Sequence, residues 1–489
     1  MTEGSIVGMP IRTGRQFIEQ LDRMQNVIWI DGQRVDDPIS QHPAFAGTIR
    51  TKAELYEAQH DPARVEYMTW LSPTTGERAG LSYMPPLTHD DLLKRRRMSR
   101  EWALLHGGWM GRAPDYTNTA LMTFATAAPL FGSHTPAFGE RIRQYYEHCR
   151  DNDLSLAHTF IRPPVDRNNH DPDDTDDRPS LSVVDKRSDG IVVNGARLMA
   201  TQGGITDELL VFPTYIPEVF AKQDHPLAFA FGIPSNTPGL SFIGRRNYSM
   251  PSGQSPLASR LDEIDMLIRF DHVLVPWERV FAYGDVRLAN TLYEESGFYS
   301  QAMHQVLTRV IVKTEWFIAL MSRMIKMFDL AYGQHIRDSL TRAVITAESL
   351  RALQLASEAG AAPNAWGVLT PAPRPLYTAL LQFGKAYPRM VADLQRIGGS
   401  HLIANATDND LSSENGEWLR KTLAAPDRVH DGSAKSRLYR LAWDACASSF
   451  AARQTIYEQY FFGDPLRLAD RLTELDDSKE DARLLERFL

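Results

Sequence analysis

From about Tyr283 the apolar residues of this 489-residue chain recur at helical spacing, over segments at about 290–331, 336–360, 373–404 and 434–462. Each segment carries an apolar stripe that has to be buried against a neighbour, and four in succession specify a helical bundle. Ahead of them the period is two. Leu154, Leu156, His158 and Phe160 alternate with Ser155, Ala157 and Thr159, as residues on a strand do. Short β-rich runs follow at 181–184, 190–200, 208–214, 227–233 and 266–275, separated by turn signals such as Ser188-Asp189-Gly190. That spacing predicts a compact β-barrel or sandwich. Earlier still, helical patterns return at 13–24, from a Thr88 cap through Leu105, and at about 136–152; residues 27–30 before Asp31-Gly32 predict a short hairpin. The expected fold class is α+β, mainly α: an N-terminal helical domain at 1–153, a central β-domain at 154–282 and a C-terminal helical bundle at 283–489. The acidic run from Asp171 to Asp177 reads as a solvated loop.

Charge and cysteine usage exclude several classes. A formal net charge of −8 leaves no basic stripe for nucleic acid or an anionic membrane surface. No run approaches the roughly 18 apolar residues a spanning helix needs, and the N-terminus has no basic and apolar leader, so a cytoplasmic protein is expected. The only cysteines, Cys149 and Cys446, are too few for a disulfide framework, a cysteine-rich zinc site or a four-cysteine iron–sulfur cluster. No glycine fingerprint of a dinucleotide fold, Walker loop, zinc-protease helix or serine-hydrolase elbow occurs. Redox chemistry in this chain would therefore not collect hydride through a Rossmann domain.

One connection between helices stands out, Gly107-Gly108-Trp109-Met110-Gly111-Arg112-Ala113-Pro114-Asp115-Tyr116. Its glycines allow left-handed backbone or close approach. Pro114 suits the first position of a new helix, which would put Tyr116 in the first turn and Arg112 just ahead of it. A permanent guanidinium and a phenol would then share a small volume. Downstream, His158 lies on the apolar face of its strand, just before the proline-stiffened Arg162-Pro163-Pro164-Val165-Asp166-Arg167. Arg197 to Gly204 ends a strand in small residues that would let a flat ligand approach, with Thr201 donating a hydrogen bond. Ser259 to Asp265 is dense in charge and reads either as an ion-paired corner or as part of a site.

These motifs, in this order, resemble one family. Trp109-Met110-Gly111-Arg112-Ala113-Pro114-Asp115-Tyr116, His158 with Pro163 to Arg167, Pro256 to Glu263 with Val275-Pro276-Trp277-Glu278, and Phe450 to Glu458 are similar to the oxygenase components of 4-hydroxyphenylacetate 3-monooxygenase and related phenol hydroxylases. The resemblance implies an acyl-CoA dehydrogenase-like fold and ortho-hydroxylation of a para-substituted phenol to a catechol, using FADH2 and O2 through a C4a-hydroperoxyflavin. It implies FAD supplied by a separate NAD(P)H-dependent flavin reductase, a homotetramer, and no metal. Carried over by position, Arg112, Tyr116 and His158 are the implied catalytic trio. Thr159, Phe160, Pro164, Val165, Asp166, Arg167 and Thr201, with His158, are the implied flavin contacts, joined from the bundle by Ala452, Arg453, Gln454 and Thr455. Ala113, Pro114, Asp115, Pro213 and Thr214 join the trio around the phenol. Two departures stand against the pattern: alanines at Ala451 and Ala452 where glycine is common, and Gln305 where chlorophenol-type relatives use a histidine, with His304 one position away. The rival readings are an acyl-CoA dehydrogenase-like flavoprotein acting on a CoA thioester, and a non-catalytic relative of the same fold.

Overall fold

The computed structural model describes residues 11–36, 38–163, 180–217, 224–250, 254–328, 330, 333–426, 429–475, 485–486 and 488–489. The Asp171–Asp177 run lies outside them. The chain forms two compact units: Met1–Asn247 with Arg260–Gln305 and Pro363–Thr370, and Tyr248–Ser259 with Val306–Ala362 and Pro371–Leu489. Among the described residues no helix is long and apolar enough to cross a membrane.

The first unit opens with helices α1 (Gly14–Met24), α2 (Ala46–Ala58), α3 (Val65–Met68), α4 (His89–Leu105), α5 (Pro114–Thr126), α6 (Ala128–Gly132) and α7 (Pro136–Asp151). Their starts follow from local chemistry. Thr13 and Thr88 each close a capping box, with Gln16 and Asp91 respectively, so two orphan N–H groups at each helix start are satisfied reciprocally. Pro114 and Pro136 occupy the first turns of α5 and α7, where a missing N–H is harmless. From Pro114 to Ala125 every residue of α5 is buried, so this helix runs through the core rather than over it.

Twelve strands of this unit lie between residues 28 and 284: β1 (Ile28–Ile30), β2 (Gln33–Arg34), β3 (Thr69–Leu71), β4 (Arg78–Gly80), β5 (Leu156–Thr159), β6 (Ser182–Lys186), β7 (Gly190–Thr201), β8 (Glu208–Val211), β9 (His225–Pro234), β10 (Leu240–Gly244), β11 (Asp265–Pro276) and β12 (Val280–Gly284). They make a six-stranded sheet in the order β2-β1-β10-β11-β7-β6, a four-stranded sheet in the order β12-β9-β8-β5, and the hairpin β3-β4. The Asp31-Gly32 turn, with φ of 53° and 77°, gives the predicted hairpin. That hairpin is not a separate feature of the N-terminal region, because β1 pairs in parallel with β10 and completes the six-stranded sheet. The alternation expected over 154–160 is also corrected. All four residues of β5 are buried, since the strand lies between β8 on its edge and α5 on its face. Strands β10 and β12 were not among the predicted runs; each is only five residues long and abuts a turn. Short helix α8 (Ala258–Leu261), of which 260–261 belong to this unit, and helix α9 (Val286–Glu295) precede α10 (Phe298–Phe328), of which 298–305 belong to this unit.

The second unit holds the remainder of α10, with α11 (Gln334–Ala359), α12 (Pro373–Gly398), α13 (Asp408–Ser412), α14 (Gly416–Thr422), α15 (Gly432–Cys446), α16 (Ser449–Gln459) and α17 (Pro465–Glu474). Two predicted continuous segments are broken. Gly297, at φ 79°, separates α9 from α10, and Ser448 ends one segment by capping α16 through the Ala451 N–H. Inside this unit Glu458 receives a bidentate pair from Arg309 at 2.7 and 2.8 Å and a third bond from Lys313 at 2.8 Å. All three side chains are buried. Burial works against the Glu458 charge, yet the two cations hold its carboxyl down to about 2; burial pulls Lys313 down to about 8.

Candidate active site

The connection between α4 and α5 is anchored at both ends. Gly107 and Gly108 take φ of 61° and 74°, and Gly108 N–H donates to the Ala103 carbonyl at 2.9 Å, ending α4. Trp109 and Met110 are buried and fix the loop against the core. Glu263 then clamps the next two residues: the Gly111 and Arg112 N–H groups donate to its two carboxylate oxygens, each at 2.7 Å. Gln202 completes the clamp, its amide nitrogen donating to Glu263 at 2.7 Å and to the Arg112 carbonyl at 3.0 Å. Gln202 holds φ 63°, a left-handed backbone that aims its side chain at the loop.

With the loop held this way, the predicted trio comes together. The Arg112 guanidinium carbon lies 4.1 Å from the centre of the Tyr116 ring. That ring is 5.4 Å from the His158 ring, which β5 presents from the four-stranded sheet. Aromatic rings close the surroundings: Phe160 lies parallel to His158 at 6.0 Å, Phe212 sits at 5.6 Å from it, and Phe298 meets Tyr116 edge-on at 6.5 Å. Burial, then the Arg112 charge, push the His158 imidazole well below its ordinary value, so it is neutral. Burial raises the Tyr116 hydroxyl above 10 although Arg112 opposes it, so the phenol keeps its proton.

Other predicted residues fall into three groups. Ala113, Pro114 and Asp115 are buried in the turn into α5. The Asp115 carboxylate accepts from Gln305 at 2.9 Å, and burial raises its pKa. Thr214 accepts from the Arg162 guanidinium at 2.6 Å, and the Pro213 carbonyl accepts from the Tyr293 hydroxyl at 2.8 Å, so both sit on a loop tied from two sides. Pro164, Val165, Asp166 and Arg167 lie outside the described residues.

Three of the implied flavin-contact side chains are hydrogen-bonded within the protein. Thr159 is fully buried and its hydroxyl donates to the Leu198 carbonyl at 3.0 Å, which ties β5 to β7. Thr201 donates to Asp265 at 2.9 Å, so it can offer a ligand only an acceptor lone pair. Gln454, fully buried in the second unit, accepts from Lys313 at 2.8 Å and has no free face. Of its neighbours on α16, Ala452 is exposed, Arg453 lies 3.9 Å from the Tyr457 ring centre, and Thr455 donates to the Ala451 carbonyl at 2.9 Å.

Glu263 and Gln202 were missed as positioning residues. The one signal was the charge density of 259–265, and that segment is indeed an ion-paired corner: Arg245 bridges Asp262 at 2.6 Å and Asp265 at 3.1 Å. Nothing in the local sequence says that Glu263, alone of these acids, turns away from the cation toward two backbone amides.

Comparison with known proteins places this geometry. The model of the 4-hydroxyphenylacetate 3-hydroxylase N-terminal region matches residues 13–282, and the model of its C-terminal region matches residues 289–489. The chain is 40% identical to a probable 4-hydroxyphenylacetate 3-monooxygenase of Bacillus subtilis, over 98% of this chain and 99% of that one. It is 38% identical to the oxygenase component of 4-hydroxyphenylacetate 3-monooxygenase of a Geobacillus strain, over 94% and 92%. A crystal structure of such an oxygenase component, complexed with FAD and 4-hydroxyphenylacetate, superposes with a TM-score of 0.90 at 36% identity, covering 98% of each chain.

Proposed function

The chain belongs to the 4-hydroxyphenylacetate 3-hydroxylase family, and from that premise we propose that it is the oxygenase component of a two-component monooxygenase. It hydroxylates 4-hydroxyphenylacetate ortho to the phenol, giving the catechol, with O2 and a reduced FAD made by a separate reductase. The convergence of Arg112, Tyr116 and His158 around one small volume carries this reading.

The residues fit a flat cofactor. An antiparallel bridge between Ile161 and Leu198 runs Phe160 alongside Met199; both are exposed, and Met199 is held at φ 56°. These two side chains offer an apolar face beside His158. Thr201, its own proton engaged, offers an acceptor suited to a ring N–H of a reduced isoalloxazine. Bound reduced flavin supplies the oxygen-activating chemistry. On α16, Arg453 and exposed Ala452 are further proposed flavin contacts, reaching a neighbouring subunit's site. Ala452 and Ile456, one turn apart on an exposed face of α16, are proposed to pack against another subunit of a homotetramer.

What the chain does to the phenol follows from charge. An ortho carbon is a far better nucleophile when the phenol is ionised, yet a free phenol holds its proton to a pH near 10. The Arg112 guanidinium supplies positive charge, and neutral His158 donates one N–H without adding charge. A phenol oxygen held by both is stabilised as the anion, and more strongly in a buried site than in water. Tyr116, protonated and packed against both groups, orients the ring and donates its hydroxyl. The buried rings of Phe212 and Phe298 keep water from this side of the trio, which favours hydroxylation over release of H2O2.

A CoA-thioester dehydrogenase is not favoured. Such chemistry needs a carboxylate base facing the substrate, and Glu263, the carboxylate that clamps this loop, is fully engaged by two backbone amides and Gln202. The test is direct. Given FADH2 from any flavin reductase, the protein is expected to convert 4-hydroxyphenylacetate to its catechol, read by chromatography; formation of H2O2 with no catechol refutes the proposal.

A further inference from the structure

Arg245 stands one residue beyond β10, beside the start of β11, and the chemistry above does not use it. Its guanidinium ties together the corner that carries Asp262, Glu263 and Asp265. Nε donates to Asp265 at 3.1 Å, and Nη1 donates to Asp262 and to the Arg246 carbonyl, each at 3.1 Å. Nη2 donates to Asp262 at 2.6 Å and to the Glu263 carbonyl at 3.0 Å. A rigid fork with donors on both edges can span such a set, whereas an ammonium acts as a point charge on one member of it. The Asp262 side chain is fully buried and that of Arg245 is 19% exposed, so the cation reaches in from the surface.

Two of these partners lead to the site. Glu263 is held at both ends: Arg245 takes its carbonyl, and its carboxylate receives the Gly111 and Arg112 N–H groups at 2.7 Å. Asp265 is divided in the same way, one carboxylate oxygen on Arg245 and the other accepting from Thr201 at 2.9 Å. One cation therefore stands behind both the loop that carries Arg112 and the hydroxyl proposed to meet the flavin. The backbone at Asp265 has other support, since it pairs with Thr201 of β7 and its carbonyl accepts from the Arg245 N–H at 3.2 Å. Asp262, Glu263 and Ile264 lie ahead of β11, outside that ladder. Their carbonyls are held by the Thr48 hydroxyl at 3.0 Å, by Arg245 at 3.0 Å and by the Gln202 N–H at 2.9 Å. Removing the guanidinium thus loosens this corner and spares the sheet. We propose that Arg245 is a positioning residue for the reaction, holding Glu263 and Asp265 together and so fixing Arg112 relative to Thr201.

This inference rests on the phenol-hydroxylase reading, and the test separates the two. Arg245→Lys keeps a charge beside Asp262 and gives up the span across the corner. Two readouts are expected to move together. Coupled hydroxylation of 4-hydroxyphenylacetate falls about 10–100-fold with H2O2 in its place, the scale of a small misplacement of a positioned group. The dissociation constant of FADH2, titrated anaerobically, rises about fivefold, the size of one hydrogen bond. Two double-mutant cycles then show the route. In a Glu263→Gln background the further loss of hydroxylation is expected to be at most about threefold, and in a Thr201→Val background the further loss of FADH2 affinity at most about twofold. Arg245→Gln carries the same cycles if the lysine variant does not fold. Losses that multiply in full in either background overturn the proposal, by assigning Arg245 to general stability. So does a lowered thermal midpoint with coupling and FADH2 affinity unchanged, or a change in one readout alone. Wild-type coupling and affinity in Arg245→Lys overturn the positioning role and leave the functional reading standing. A wild type that yields H2O2 and no catechol from any phenol overturns the functional reading itself.

Discussion

Replacing Glu263 by glutamine removes one atom's worth of acceptor from beneath Arg112. In the wild type the carboxylate receives three bonds of 2.7 Å, from the Gly111 N–H, the Arg112 N–H and the Gln202 amide, and the side chain is fully buried. In Glu263→Gln one oxygen becomes an amide nitrogen that faces a donor. One charge-assisted hydrogen bond is lost and one buried N–H is left without an acceptor, together about 2–4 kcal/mol. The fold has other anchors for this loop in Trp109 and Met110, so the protein is expected to remain folded while residues 111–112 shift. A displacement on the order of 1 Å in a positioning group costs about 10²-fold in rate. The assay is the ratio of catechol to H2O2 formed from a fixed supply of FADH2, with a thermal midpoint measured alongside. The expected result is a hydroxylation rate lower by about 10²-fold, with H2O2 taking up the difference. Wild-type coupling and an unchanged midpoint in Glu263→Gln would refute the clamp.

Two further consequences concern charge in the interior. Because His158 is held well below 6.5, the unfolded chain binds more protons than the folded one as pH falls below 6.5. The stability contributed by the neutral imidazole is therefore complete above pH 6.5 and lost as pH drops toward the folded value. Histidine-resolved NMR of the flavin-free protein checks this, and a His158 titration at or above 6.5 contradicts it. Removing the shared carboxylate of the second unit, Glu458→Ala, strands Arg309 and Lys313 and is expected to destabilise by about 3–5 kcal/mol in denaturant unfolding. The same carboxylate, held at about 2, stabilises fully above its unfolded value of 4.5 and loses that contribution as pH falls toward 2. A loss under about 1 kcal/mol in the alanine variant, the scale of an exposed pair, would show that the network is not buried as described.

Much of this arrangement was legible in the sequence because it is local. The Thr88 cap, the Asp31-Gly32 turn and Pro114 at the head of α5 depend on neighbours within four residues, and each occurs where those residues predict. So does the placing of Arg112 and Tyr116 across one turn. What depends on distant partners was not legible. β1 joins β10 from more than two hundred residues away, and β5 reads as half-exposed because nothing in 154–160 announces α5 on its other face. The same holds in the site. Thr159, Thr201 and Gln454 have hydroxyl or amide groups that suit a cofactor, and only the fold reveals that Leu198, Asp265 and Lys313 already engage them. Arg197 shows the converse, a residue unremarkable in its strand that has no acceptor among the described residues once the sheets close over it.

The central claim is that a guanidinium and a neutral imidazole hold the phenol as its anion for oxygen transfer. Hydroxylation under ¹⁸O2, with catechol and H2O2 counted against FADH2 consumed, tests it in wild type, Arg112→Ala and His158→Ala. The account predicts one labelled oxygen in the wild-type catechol, and in each variant a hydroxylation rate lower by about 10²–10³-fold with H2O2 in its place, as when an oxyanion-hole donor is removed. Either variant forming labelled catechol at the wild-type rate and yield would contradict it.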